Sequence, residues 1–282
     1  MILTQSHPAI TESKSIHTKT LQGVDENSNL LKSASANTKM GGFTKKFMEL
    51  AKELEREDNL RYHSIQKDDR IIVSQKSMWM DFPVYTLTLE ERKTCPDTCF
   101  HWHDCYGNGM GFATRWEHGK ALEKRIKKQI RKLAKMHPNG FVVRLHILGD
   151  FYSIEYVRMW GELLARHKNM NIYGYSARLP IEDEIGTELF ILRSQMFDRF
   201  KMRFSNWDGE FTALSEHTEQ AKKQLKSGKA IVCPNQVIAQ DGLPVVKNCL
   251  SCGLCWTSNK SIVFKDNGKK GKLYELNTVK SA

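Results

Sequence analysis

The chain reads as an α/β protein: a parallel β/α partial barrel with a cysteine-rich C-terminal extension. Three observations lead there. Strand-like and helix-like stretches alternate along most of the chain, several strands are apolar on one side and polar on the other, and the cysteines form two groups that each begin just after a strand. Alternating β and α units imply a parallel sheet with right-handed crossovers. Strands of a doubly wound sheet are covered on both faces and read as continuous apolar runs. Here Val143, Leu145 and Ile147 share one side of a strand whose other side carries Arg144 and His146, and Lys201, Arg203 and Ser205 oppose Met202 and Phe204. Helices packed on the apolar face and a polar interior suit a barrel, whose site lies at the C-terminal ends of its strands. The competing arrangement is a two-sided sheet with polar edge strands.

The elements follow in order. Residues 1–42 contain no Phe, Trp or Tyr and are rich in Ser, Thr, Asn and Lys, so they are expected to form a disordered polar arm. Phe43, Phe47, Leu50 and Leu54 recur at helical spacing and predict a helix to about residue 57. Short strands are expected at 70–74 and at 84–89, the second with near-strict alternation. A helix at 114–136 carries the apolar stripe Leu122, Ile126, Ile130 and Leu133 and is stopped by Pro138-Asn139-Gly140. Then come a strand at 141–148, a helix at 153–167 with Ser153 as N-cap, a strand at 171–177, a helix at 184–197 and a strand at 199–205. A helix at 212–226 and a strand at 230–232 complete the β/α body at 43–232. Residues 233–282 form the cysteine-rich segment.

The 282 residues, 40% hydrophobic and 27% charged, suit a soluble globular protein with one large core. There is no long apolar run to cross a membrane and no apolar leader, so a cytoplasmic protein is expected. Outside an oxidising compartment, clustered cysteines point to metal ligation before disulfides. The net charge of +11 suggests an anionic partner, a substrate or nucleic acid.

Cys95, Cys99 and Cys105 lie within one loop, with His101 and His103 between them; Cys233, Cys249, Cys252 and Cys255 form the second group. Three ligands plus four suit two [4Fe-4S] clusters, one with an open iron, and the C-x2-C-x2-C run from Cys249 is a spacing used around such clusters. Zinc suits the residues as well. The second group would make a four-thiolate site, and the first would take His101 or His103 as its fourth ligand.

A strand, a loop with three cysteines, a helix, a second strand and a glycine–acid turn together resemble the radical SAM enzymes. That resemblance implies a cluster on Cys95, Cys99 and Cys105 whose open iron binds S-adenosylmethionine. It further implies Gly149 and Asp150 at the ligand's amino group, Tyr106 as the aromatic beside the last cysteine, and an electron donor as partner. The C-terminal cysteines look like an auxiliary cluster. Arg144, Arg178 or Arg203 would pair with a carboxylate or phosphate, and His146 is a candidate for proton transfer. Thr94 to Tyr106, Arg144 to Ser153 and Cys233 to Cys255 are also similar to a phage family known as gene product 88, which would place the protein in the host-cell cytoplasm. That family implies no activity.

A reading of another class is a zinc-stabilised nucleic-acid-binding protein without catalysis. It draws on the lysines and arginines of the helix at 114–136, the basic residues 265–272, and Trp102, Trp116 and Trp256 as stacking platforms. A nuclease is the least favoured reading, for want of acids spaced to hold magnesium.

Overall fold

A computed structural model describes residues 21–24, 30–33, 82–102, 105, 107, 110, 113–237 and 249–265. The helix expected at 43–57 and the strand expected at 70–74 lie outside these. Ten strands are present among the described residues: β1 (Leu21–Gln22), β2 (Lys32–Ser33), β3 (Val84–Thr86), β4 (Arg115–Trp116), β5 (Phe141–Leu145), β6 (Met170–Ser176), β7 (Phe200–Ser205), β8 (Thr212–Ser215), β9 (Ala230–Val232) and β10 (Ser261–Phe264). The helices are α1 (Glu91–Thr94), α2 (Lys120–Met136), α3 (Ile154–Arg166), α4 (Glu184–Gln195), α5 (Glu219–Lys226), α6 (Cys249–Cys252) and α7 (Leu254–Thr257).

Eight strands form one sheet in the order β2-β3-β5-β6-β7-β8-β10-β9; β2 is antiparallel to β3 and the other neighbours are parallel. The order is nearly that of the chain, and the sheet is open, ending at β2 and β9. Register assigns the two faces. Tyr85, Val143 and Ile172 are successive partners or neighbours, as are Gly174 and Met202, and all belong to the face packed by helices. Leu122, Ile126 and Ile130 of α2, Val157 and Trp160 of α3, and Leu189 of α4 share one core with that face. Leu214 and Val263, paired in register on the same side, carry Ala221 of α5. All four crossover helices therefore cover one face.

The opposite face carries Val84, Val142, Arg144, Tyr173, Tyr175, Lys201 and Arg203, as the alternation predicts, except that β5 ends at Leu145 and His146, expected beside Arg144, lies on the helical side against Tyr156. This face is not an open polar lumen. Trp256 packs on Val84, Val142 and Tyr173, and Cys252 and Leu254 pack on Ile262. The segment with the C-terminal cysteines lies across it.

That segment is also not a simple extension. β10 enters the main sheet between β8 and β9, so the two strands that flank the C-terminal cysteines in sequence are neighbours in one sheet. Ser261–Phe264 is not among the expected strands: Ser258-Asn259 and Asp266-Asn267-Gly268 frame it, but a four-residue apolar run is too short for periodicity to assign. Two other elements differ from expectation. The helix expected at 114–136 begins only at Lys120, since Arg115 and Trp116 pair with β1 and Gly119 takes φ 124° just before the helix. The helix expected at 212–226 is split into β8 and α5, the latter capped by Thr218, whose side chain accepts from Ala221 N at 3.1 Å. Ser153 caps α3 as expected, accepting from Tyr156 N at 3.1 Å. The polar N-terminal arm contributes to the fold as well. Leu30 and Leu31 are 1% and 3% exposed in the main core, because two leucines beside a strand edge bury enough apolar surface without any aromatic. Among the described residues no helix is long and apolar enough to cross a membrane.

Candidate metal centre

The first cysteine loop leaves the C-terminal end of β3 through Leu89 and α1. It is a succession of tight turns: Cys95 N donates to Glu91 O at 3.0 Å, Cys99 N to Pro96 O at 3.1 Å and Trp102 N to Cys99 O at 2.9 Å. The far side of the loop is pinned by Arg115. Its side chain is fully buried and makes a two-point ion pair with Glu91, Nε to Oε2 at 2.8 Å and Nη2 to Oε1 at 3.0 Å. The same guanidinium donates to the carbonyls of Gly107 at 3.1 Å, Met110 at 3.1 Å and Ala113 at 2.9 Å. Planar forks with five N–H donors suit such multiple contacts. Neither residue carries a sequence signal, because the partners come from different elements.

The turn after β5 meets this loop. Gly149 has φ 83°, and a Cβ there would lie 2.6 Å from Leu89 Cβ and from Thr94 Oγ1, so only glycine fits. Asp150 N donates to Thr94 Oγ1 at 3.0 Å, directly before Cys95. The Asp150 carboxylate accepts from Phe151 N at 2.8 Å, Ser176 Oγ at 2.8 Å and Ala177 N at 2.7 Å. Burial outweighs these bonds and pushes its pKa up to about 6. Arg178 closes the frame, donating to Thr94 O at 3.0 Å, to Asp183 Oδ2 at 2.7 Å and to Phe151 O. Gly149, Asp150, Arg178 and the three cysteines are thus one assembly. Tyr106 and His103 lie outside the described residues.

The thiols of Cys95, Cys99 and Cys105 are close enough for Cys99 and Cys105 each to raise the pKa of Cys95, to which burial and then Asp150 contribute more. Cys99 is pushed up to about 11, mainly by burial, with Arg92 opposing. Arg92 lies over the Trp102 ring at 5.0 Å and donates to its carbonyl.

The second group gathers against the non-helical face. Gly253, at φ 64°, turns the chain between α6 and α7 and so separates Cys252 from Cys255. Cys233 follows β9 and its N–H donates to Val263 O at 2.8 Å. Burial raises the Cys252 thiol most, followed by Cys255, Cys233 and Cys249, so all four are neighbours. Arg203 is completely buried here. It donates to Cys255 O at 3.4 Å, Ser258 O at 2.9 Å and Lys260 O at 2.6 Å, and its guanidinium lies 3.7 Å from the Phe211 ring centroid. Lys201 reaches Asn259 Oδ1 at 3.3 Å, and Trp256 packs at 4.6 Å on Tyr173, which Arg144 accompanies.

Arg144 and Arg203 therefore stand with the second group and not with the Asp150 turn. His146 is apart from both groups, on the helical side. Its Nε2 is 3.1 Å from Tyr156 Oη, its ring meets Phe151 edge-on, and burial lowers its pKa to about 3.

All seven cysteines are free thiols. Among the described residues no three His, Cys, Asp or Glu side chains are arranged to hold a metal ion. The family model described as Gene product 88 matches residues 48–258. The chain belongs to the gene product 88 family. No curated protein and no solved structure matches it. The family match spans both cysteine groups, Asp150 and Arg203, and carries no activity with it.

Proposed function

We propose that this gene product 88 protein is an iron–sulfur protein, with one cluster on Cys95, Cys99 and Cys105 and a second on Cys233, Cys249, Cys252 and Cys255. The observation that carries the reading is the gathering of seven free thiols from three stretches of chain into a group of three and a group of four. Soft thiolates are the donor set of such clusters. The thiols of each group are neighbours, and a polynuclear cluster takes one thiolate at each iron. Burial makes each group costly to ionise, so deprotonation would accompany metal loading.

A three-thiolate cluster would leave one iron open, and a cluster of that kind could supply electrons to an S-adenosylmethionine bound there. In that reading Gly149 lets the β5 turn approach the loop, Asp150 offers a carboxylate beside Cys95 for a ligand amine, and Arg178 holds both segments. The barrel-like, radical SAM-like character belongs to this proposal. Its support is the near-sequential strand order and the single-sided crossover helices. The substrate is unassigned.

Structural zinc is the second reading, favoured by the four thiols of the C-terminal group and their role in closing two adjacent strands. Anaerobic purification with iron, sulfide and zinc counted per chain separates the two. About eight irons with matching sulfide and a brown colour are expected. A colourless protein with about two zincs overturns the cluster assignment. Cys99→Ala is expected to lose one cluster and keep the other; loss of all iron would mean that the two groups do not act separately.

A further inference from the structure

The exposed face of α2 differs in charge from its neighbours. Lys124, Lys127, Lys128, Arg131, Lys132 and Lys135 are all exposed along it. The helix has one carboxylate, Glu123, which is buried; its Oε1 accepts from Tyr152 Oη at 3.3 Å and its Oε2 pairs with Lys120 at 3.1 Å. α3 and α4, by contrast, mix signs, as in the pair between Arg158 and Glu188 at 2.9 Å.

A solvated helix face ordinarily mixes charges, because like charges four residues apart destabilise the helix. Here Lys124 and Lys128, Lys127 and Arg131, Lys128 and Lys132, and Arg131 and Lys135 all repel at that spacing. The field reaches the end of α3, where burial, Arg166 and Arg131 together lower the pKa of His167. From Lys124 to Lys135 the row rises about 17 Å at ~1.5 Å per residue. Phosphates on one strand of a duplex recur every ~3.4 Å along the axis, so the row spans about five of them.

A membrane surface fits less well. The apolar stripe of α2 is consumed by the core, and only Met136, at the last position, is a large exposed apolar residue to insert. Crossover helices run against their strands, so α2 starts at the end where the first cysteine loop lies; Gly119 N donates to Tyr152 Oη at 3.4 Å, two residues beyond Asp150.

We propose that the exposed face of α2 binds the phosphodiester backbone of a nucleic acid and leads it toward the end of the sheet that carries Cys95 and Asp150. The binding surface does not depend on which metal the cysteines hold. The test uses the full chain and labelled oligonucleotides of one sequence, as single-stranded DNA, duplex DNA and RNA, titrated at rising salt. The triple variant Lys124→Glu, Lys128→Glu, Lys132→Glu is compared with Lys222→Glu, Lys223→Glu, Lys226→Glu on α5, which changes net charge equally. The α2 variant is expected to bind at least about tenfold more weakly, with a log–log salt slope shallower by about 2.7. The α5 variant stays within about threefold of wild type. Circular dichroism confirms that both remain folded, and tight binding of any one of the three polymers supports the proposal. Absence of binding at the lowest salt overturns it, as does equal loss in both variants. Binding to phosphatidylglycerol vesicles without binding to oligonucleotides also overturns it.

Discussion

The two cysteine segments are held by the same device in different electrostatic settings. Each is fastened by one completely buried arginine that satisfies three main-chain carbonyls, Arg115 at Gly107, Met110 and Ala113, and Arg203 at Cys255, Ser258 and Lys260. Arg115 has the Glu91 carboxylate against it, so its charge is neutralised within the loop it closes. Arg203 has no carboxylate partner among the described residues; its charge meets Tyr175, the Phe211 ring and the Cys255 thiol, and burial lowers its pKa to about 10. The first clamp is electrostatically complete without metal. The second is not, and thiolates at Cys255 and its neighbours would complete it.

The largest effect expected from this contrast is at Arg115. Arg115→Met removes the buried cation beside Glu91 and should cost about 3–5 kcal/mol, read as a drop in the urea midpoint. Adding Glu91→Leu should recover part of that loss, because the buried carboxylate is then gone. A double variant as unstable as the single one would mean that the carbonyl bonds, and not the ion pair, hold the loop.

Arg203→Met should cost less, about 1–3 kcal/mol, since it strands carbonyls but no carboxylate. Its distinguishing consequence is at the thiols. Without a buried cation beside it, the Cys255 thiol should titrate at a higher pH in the metal-free chain, measured by thiolate absorbance, whereas Arg115→Met should leave that titration alone. An unchanged titration in both variants would remove the electrostatic half of the comparison.

These clamps also show where sequence reading reaches and where it stops. The helix α3 is legible because local signals suffice, Ser153 standing before an apolar periodicity. The meeting of Gly149, Asp150 and Arg178 with the first cysteine loop follows from strand order, which alternation implies. Arg115 is invisible in sequence, since nothing local says that a residue in a two-residue strand will bind Glu91 across 24 positions. Arg203 was legible as a polar residue on an inward face, and a substrate anion was the natural partner to assign it. The covering segment supplies carbonyls instead, because β10 returns to the sheet; turn residues frame that strand, but no local pattern says that it enters between β8 and β9. Leu30 and Leu31 were hidden by the polar composition around them.

The smallest effects concern two buried groups near the end of β5 that titrate in opposite senses. Asp150 ordinarily titrates near 3.8 and does so at about 6 when folded. Between those values the folded chain holds more protons than the unfolded one, so Asp150 makes stability fall as pH rises through that window. His146 ordinarily titrates near 6.5 and does so at about 3 when folded. The unfolded chain then holds more protons, so His146 makes stability rise with pH from about 3 to 6.5. Across pH 4 to 6 the two slopes largely cancel in the wild type. Asp150→Asn should expose the His146 slope, losing up to about 1.4 kcal/mol per pH unit on acidification. His146→Gln should expose the Asp150 slope and become relatively more stable as pH falls from 6 to 4. Urea midpoints across this range read both. If the two variants keep the wild-type slope, neither group is held in the charge state that its burial implies, and the acid beside Cys95 is more open to water than its hydrogen bonds describe.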